Sequence, residues 1–408
     1  MSEINLRKVR SDIGLIRADE IIREDIQTRM LTWISILLVI CAMLSLFGLI
    51  MLYSTSYHTD GQQYFIAQLR WLILAGIAGT MTFFVGYRKL GEWAIMLLLV
   101  LAIMLLACRL FYPAVNGAYR WLQFKSLNAS LQPSEFLKVA LPLFIGKYCA
   151  DNFRHIQYMF SRHGALIPVL VTAAMCYLVW IGKDLGTVVL IFTMMLIMLF
   201  VAGLRVRWFV LLGVLGLLAF VFIVWQDPER LERVFSFRHA EELSDTSGYQ
   251  LWFSLLALGS GSWTGVGFME SRMKASYLPE HHTDFILAVI GEELGFVALV
   301  LILLAYVAFF YFSLKICCNS TTKQGLFTGV GIVTVIMLQA LINIGVVSGA
   351  LPTKGFPAPL LSYGGSGLLM FGVALGVIIN IGADAVHPNF NQELWGKLKL
   401  RRGKGKTQ

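Results

Sequence analysis

The chain has 408 residues, 57% of them hydrophobic and 14% charged, with a formal net charge of +9. An ordinary soluble domain carries roughly 25% charged residues. The 57 charges here are too few to clothe the surfaces of the two or three domains that a soluble chain this long would form. Composition thus excludes a soluble enzyme and makes a bilayer the natural solvent.

In chain order, residues 1–30 mix acidic and basic side chains and read as a cytoplasmic tail. A long apolar run without a small-residue cleavage site follows, as expected of an uncleaved signal-anchor helix. Nine runs contain no Asp, Glu, Lys or Arg: Leu31 to Thr59, Trp71 to Tyr87, Trp93 to Cys108, His163 to Gly182, Leu185 to Leu204, Trp208 to Gln226, Leu294 to Leu314, Gln324 to Thr353 and Gly355 to Ala383. Each is near or above the roughly 20 residues a helix needs to cross the hydrocarbon. A tenth, Pro133 to Ala150, is equally apolar but is interrupted by Glu135 and Lys138, which predicts a helix with functional charges near one end. Period-2 alternation is absent, against a β-barrel. The expectation is an all-α membrane domain of ten transmembrane helices over residues 31–385, followed by a basic tail over 386–408.

Threading ten helices alternately puts 21 of the 33 Lys and Arg on the side of the termini and 11 on the other, with Lys138 within a span. The asymmetry places both termini in the cytoplasm. It also makes the basic C-terminal tail a partner for anionic membrane lipid rather than nucleic acid. The six cysteines form no C-x-x-C and read as small core residues.

The outward side concentrates the unusual chemistry. Residues 227–284, between the seventh and eighth predicted helices, form a large extracytoplasmic loop with 14 charged residues. Its apolar, glycine-punctuated stretch from Leu251 to Met269 reads as a short interfacial or re-entrant helix. The loop ends in His281-His282-Thr283-Asp284, a carboxylate where a lipid headgroup would arrive. Arg120 beside Trp121, Glu135 and Lys138 at i, i+3, Lys183-Asp184, Lys354 and Ser362 complete an outward set of cations, carboxylates and flexible backbone. Such a set suits a polyprenyl-pyrophosphate sugar: cations neutralise the pyrophosphate while a carboxylate takes a proton from an attacking hydroxyl. The same cations could bind a lipid phosphate for flipping, so residue types leave catalysis and translocation both open.

Plainer readings compete. Asp284 could be a helix N-cap, Glu135 and Lys138 could simply neutralise each other, and one of Glu292 and Glu293 could pack against polar neighbours. No second His or Cys cluster completes a metal site with His281 and His282. Gln339 and Asn343, one turn apart in a charge-free helix, read as interhelical hydrogen bonders.

Five motifs in order resemble the SEDS family, which comprises FtsW, RodA and SpoVE: Gln132-Pro133-Ser134-Glu135, Asp184-Leu185-Gly186-Thr187, Tyr249-Gln250 with Ala257-Leu258-Gly259-Ser260-Gly261, His282-Thr283-Asp284-Phe285 with Gly291-Glu292-Glu293-Leu294-Gly295, and Ser362-Tyr363-Gly364-Gly365-Ser366. Leu351-Pro352-Thr353-Lys354-Gly355 is nearer the FtsW and SpoVE pattern than that of RodA, which tends to have Val where Thr353 stands. Lys183 departs from the family's usual Pro, and Gly182, Tyr119, Ser262 and Gly367 also differ from it. The resemblance implies a peptidoglycan glycosyltransferase polymerising lipid II on the outer face of the bacterial cytoplasmic membrane, at the division septum on the FtsW-like reading. Its implied partners are a class B penicillin-binding protein and other divisome membrane proteins. A lipid II flippase and a non-catalytic division scaffold are the competing readings. By the same resemblance Asp284 matches the essential aspartate, as general base or as the ligand of a divalent cation such as Mg or Mn. Glu135, Lys138 and Asp184 match polar cavity residues, Lys138 being the implied charge partner of Asp284; the outward placement of Lys183, Arg120, His282, Lys354 and Ser362 adds them as expected substrate-cavity residues.

Overall fold

The computed structural model describes residues 3–56, 63–114, 117–124, 129–237, 240–243, 246 and 248–388. Asn116 and all of the basic tail beyond residue 388 lie outside the described residues. In chain order, α1 (Glu3–Ser56), α2 (Gln63–Val85), α3 (Tyr87–Glu92) and α4 (Ala94–Phe111) lead to an antiparallel hairpin of β1 (Leu122–Phe124) and β2 (Ala129–Leu131). Then come α5 (Pro133–Asp151), α6 (Leu166–Ile181), α7 (Leu185–Val201), α8 (Val206–Trp225), α9 (Pro228–Ser236) and α10 (Tyr249–Gly261). Four more complete the chain: α11 (Met273–Ser276), α12 (Ile286–Cys318), α13 (Lys323–Val347) and α14 (Gly365–Val386).

Among the described residues seven helices are long and apolar enough to cross a membrane: α1 from Glu24 onward, α2, α4, α8, α12, α13 and α14. Helices α6 and α7 are shorter and apolar. Helix α5 has spanning length but carries Glu135, Lys138, Lys147 and Asp151.

Local signals set where these helices start. Pro133 opens α5, where its missing N–H costs nothing. Asp184 caps α7 by accepting from Thr187 N, and Thr322 caps α13 by accepting from Gly325 N. Helices α5 and α13 are the most enclosed and pack on each other at the centre. Helix α14 lies along α2 with Gly372 and Gly376 against the backbone of Ala75 and Gly79, an approach no side chain would allow. Helix α8 stands at the edge, almost wholly exposed.

Of the stretch expected as a short re-entrant helix, the part up to Gly261 belongs to α10, which packs into the bundle beside α12 and α13, and residues 262–269 are irregular. The loop after it meets α12 where that helix breaks, at Gly295 with φ 77°. A Cβ there would strike the Trp263 carbonyl. Phe296 N donates to Ser262 O at 2.9 Å, Val266 N to Glu292 O at 2.9 Å and Gly267 N to Glu293 O at 3.0 Å. The bonds that the break removes from α12 are thus remade with the loop, the condition for broken helices at membrane depth.

The last two predicted spans need correction. The ninth runs only to Val347, and the tenth starts at Gly365 rather than Gly355. Between them residues 348–364 form an irregular strap containing Pro352, Pro357 and Pro359. Residues without charge need not be helical here, because neighbouring side chains supply the missing donors. Asn343 Nδ2 donates to Phe356 O, Gln339 Nε2 to Pro357 O at 3.0 Å, Tyr306 Oη to Pro359 O at 2.6 Å and Gln68 Nε2 to Ser362 O at 3.1 Å.

Candidate active site

The strap and the turn before α12 meet at one end of the bundle, the end that the Lys and Arg distribution assigns to the outside. Two adjoining cavities open there. One of about 340 Å³ is lined by Arg120, Lys183, Arg230, Arg233 and Lys354 over an apolar floor from α7, α8 and Ile342. The other, about 480 Å³, is lined by Asp284 with Arg233, Tyr249, Gln250, Thr353 and Lys354. Arg233, Thr353, Lys354 and Gly355 line both.

Asp284 sits half-buried in the turn that leads into α12. Among the described residues no hydrogen bond or ion pair reaches its carboxylate; its backbone carbonyl accepts from Asn343 Nδ2 at 2.8 Å. Gly355 is pressed so closely on it that a Cβ would overlap the carboxylate oxygen. Burial pushes the Asp284 carboxyl up to about 7, with Glu280 adding to the rise and Arg120 opposing it.

The implied pairing with Lys138 does not occur. Lys138 Nζ lies 2.6 Å from Glu135 Oε1 and 2.8 Å from Gln339 Oε1, under the ring of Phe356. Its one-turn spacing from Glu135 makes that carboxylate the nearer partner.

Asp184 is buried and heavily held. Its carboxylate accepts from Thr187 Oγ1 at 2.8 Å and from Gln132 Nε2 at 3.2 Å, with Arg120 Nη1 at 3.7 Å. Burial works against the charge, but Arg120, Lys354 and the Thr187 bonds outweigh it and hold the carboxyl below its ordinary value. Asp184 thus anchors Arg120, whose Nη2 also donates to Lys183 O at 3.3 Å. Lys354 lines both the cavity of this group and that of Asp284. Burial lowers its pKa to about 8, Asp184 opposing and Arg120, Arg230 and Arg233 adding to the fall.

Two expected cavity residues serve the frame. His282 stacks on Tyr64 with centroids 4.3 Å apart, and its carbonyl accepts from Tyr363 N at 2.9 Å. Ser362 Oγ accepts from Ala358 N at 2.8 Å, closing a turn of the strap. Both of the deep acids are structural. Glu293 is fully buried against Lys274 Nζ at 2.6 Å and Ser54 Oγ at 2.8 Å. Glu292 accepts from Ser271 Oγ and from Arg272 N at 3.0 Å.

Sequence reasoning did not single out Arg230 and Arg233 as site residues, though their i, i+3 spacing puts them on one face of α9. Nor did it assign Tyr249, Gln250 or Gly355 a place at Asp284. Among the described residues no group of three His, Cys, Asp or Glu gathers as cation ligands. Asp284, with Glu280 near it at a cavity otherwise lined by Arg and Lys, offers too few carboxylates against too much positive charge to fit a divalent cation.

Fold and site together define a multi-pass α-helical membrane protein whose polar cavity opens at one end of the bundle. The "cell cycle protein" family that groups FtsW, RodA and SpoVE matches residues 34–387. Stage V sporulation protein E of Bacillus subtilis is 37% identical over 85% of this chain and 96% of its own length. A protein of Aliivibrio salmonicida named probable peptidoglycan glycosyltransferase FtsW is 36% identical over 86% of this chain and 88% of its own. Among solved structures, a chain of a peptidoglycan synthase complex aligns with TM-score 0.73 at 24% identity, covering 86% of this chain and 98% of that one. The rod shape determining protein RodA of Thermus thermophilus aligns with TM-score 0.65 at 22% identity, covering 85% and 96%. The chain belongs to the FtsW, RodA and SpoVE family.

Proposed function

We propose that this protein is a peptidoglycan glycosyltransferase, with ten spans and both termini in the cytoplasm, that polymerises lipid II at the outer face of the bacterial cytoplasmic membrane. Seven long apolar helices, the two shorter ones and the charged α5 make up the ten. Relatives named FtsW favour septal wall synthesis, and the solved synthase complex favours a class B penicillin-binding protein as partner, alongside other divisome membrane proteins.

The observation that carries the reading is Asp284: a carboxylate with no partner among the described residues, raised to about 7, at a cavity whose other charges are cations. A base whose pKa lies near the working pH is ionised often enough to accept a proton and basic enough to hold it. Asp284 takes the proton from the GlcNAc hydroxyl of the acceptor lipid II. The freed oxygen bonds to the anomeric carbon of the donor glycan as that carbon's bond to the undecaprenyl pyrophosphate oxygen breaks. The leaving pyrophosphate carries negative charge into the cavity of Arg120, Lys183, Arg230, Arg233 and Lys354, where fixed cations stabilise it as it forms. The apolar floor from α7 and α8 receives the start of the polyprenyl chain.

The test is to incubate the purified protein and its partner with labelled lipid II and to compare Asp284→Ala. Glycan strands from the wild type and none from the variant support the reading. Equal polymerisation by both removes Asp284 from the mechanism. Absence of strands in every partnered preparation returns the choice to flippase or scaffold.

A further inference from the structure

Asn343 is a primary amide in a charge-free stretch of the chain. It lies on α13, 1% exposed, and its side-chain NH₂ donates to two carbonyls on different segments: Asp284 O at 2.8 Å and Phe356 O. The first belongs to the turn that carries the candidate base. The second is two residues beyond Lys354 and next to Gly355, the residue pressed on the Asp284 carboxylate. Each amide hydrogen serves one carbonyl, and only a primary amide offers two donors from one nitrogen in this plane without charge. One turn deeper, Gln339 repeats the device on the strap, donating to Pro357 O at 3.0 Å. Gln339 also accepts from Lys138 rather than reaching the turn. Asn343 is therefore the side chain among the described residues that bonds both the turn and the strap.

We infer that Asn343 is a positioning residue for Asp284, clamping the strap against the turn so that Gly355 stays pressed on the carboxylate and limits the water that reaches it. The inference rests on Asp284 being the base of the proposed reaction. Its physical basis is that a buried carbonyl without a donor is costly. Removing the amide would strand the carbonyls of Asp284 and Phe356, and the strap would part from the turn until water reached them. Water would then solvate the carboxylate and undo the desolvation that raises it. Glu280 on its own turn and Arg120 ahead of β1 act on the Asp284 charge, and Arg233 on α9, Tyr249 on α10 and Lys354 on the strap line the same cavity. None of them is altered by a change at Asn343, so a shift would report the clamp.

The experiment titrates the protonated-carboxyl infrared band of the full-length protein, assigned by its loss in Asp284→Asn. Lipid II polymerisation is followed in the same preparations. In Asn343→Leu the midpoint should fall by about 1 in pH, and kcat should fall about tenfold with KM within about twofold. In Asn343→Ser, which adds no charge and keeps at most one of the two donors, the midpoint should fall in the same direction by a smaller amount; this variant decides the matter if Asn343→Leu does not fold. Ser254→Ala is the control. It removes a buried hydrogen bond to Val347 O just beyond Asn343 on α13, and it should leave the midpoint unchanged. Unchanged midpoints in both Asn343 variants, a shift of equal size in Ser254→Ala, or no band lost in Asp284→Asn would each overturn the inference. A wild type that makes no strands defeats the proposed reaction instead, while the midpoints still decide whether Asn343 sets the charge state.

Discussion

Asp284 and Glu293 stand nine residues apart at the start of the same helix and meet opposite environments. Glu293 is fully buried and compensated, with an ammonium at 2.6 Å and a hydroxyl at 2.8 Å. Asp284 is only half-buried, yet nothing among the described residues pairs with its carboxylate. Depth in the bundle therefore misleads as a guide to chemistry. A charge paired in the interior holds elements together, here tying α11 to α1 and α12. A charge left uncompensated at a cavity wall keeps its proton affinity free for a substrate.

The sharpest way to break the comparison is to neutralise each acid in turn. Asp284→Asn should lower polymerisation by about 10²- to 10⁴-fold, the usual worth of a general base. Thermal unfolding in detergent should be no lower than in the wild type, since a desolvated charge has been removed. Retained activity, or a large loss of stability, would put Asp284 in the class of Glu293. Lys274→Met should do the reverse. Leaving Glu293 buried and unpaired should cost about 3–5 kcal/mol of stability, with activity falling only as folded protein is lost. Adding Glu293→Gln should restore most of that stability; a double variant as unstable as the single would show that Lys274 acts by something other than pairing.

The pH dependence sharpens the contrast further. The Asp284 base must be ionised, so activity should climb as pH rises through about 7, and Lys354 must keep its proton to meet a phosphate, so activity should decline as pH rises through about 8. Stability carries its own sign. The folded protein holds the Asp284 proton more tightly than the unfolded chain, so that contribution is present below the ordinary aspartate value of 3.8 and is lost as pH rises to about 7. Asp284→Asn should flatten this part of the stability profile, and a profile matching the wild type would show that the carboxyl is not desolvated.

The sequence shows the first half of this contrast better than the second. Charge-free runs locate the helices because a bilayer admits few charges. The same rule fails for the strap, where residues 348–364 carry only Lys354 and yet are not helical. Their carbonyls are satisfied by Gln68, Tyr306, Gln339 and Asn343, residues 13 to 294 positions away in the chain. No local period records such pairings. Lys138 is the complementary case: the i, i+3 spacing to Glu135 was legible, and local geometry prevailed over the longer-range partner that family resemblance implied. Asp284 was legible through resemblance, whereas its lack of a partner and the pressure of Gly355 emerge only from the fold.

Lys183 should give the smallest effect, and it tests whether the cavity cations act together. It is exposed and stands in the left-handed region at φ 63°, lining the cavity of about 340 Å³ with Arg120, Arg230, Arg233 and Lys354. Four other cations remain when it is lost, and an exposed charge contributes about 1 kcal/mol or less. Lys183→Ala should therefore raise KM for lipid II a few-fold and leave kcat nearly unchanged, the pattern of lost ground-state binding. The rise should shrink at high salt, where an exposed charge is screened within about 10 Å or less. A loss of kcat comparable to that of Asp284→Asn would mean that Lys183 meets charge that develops only in the transition state. The pyrophosphate would then leave along the Lys183 side of the cavity instead of being shared among all five cations.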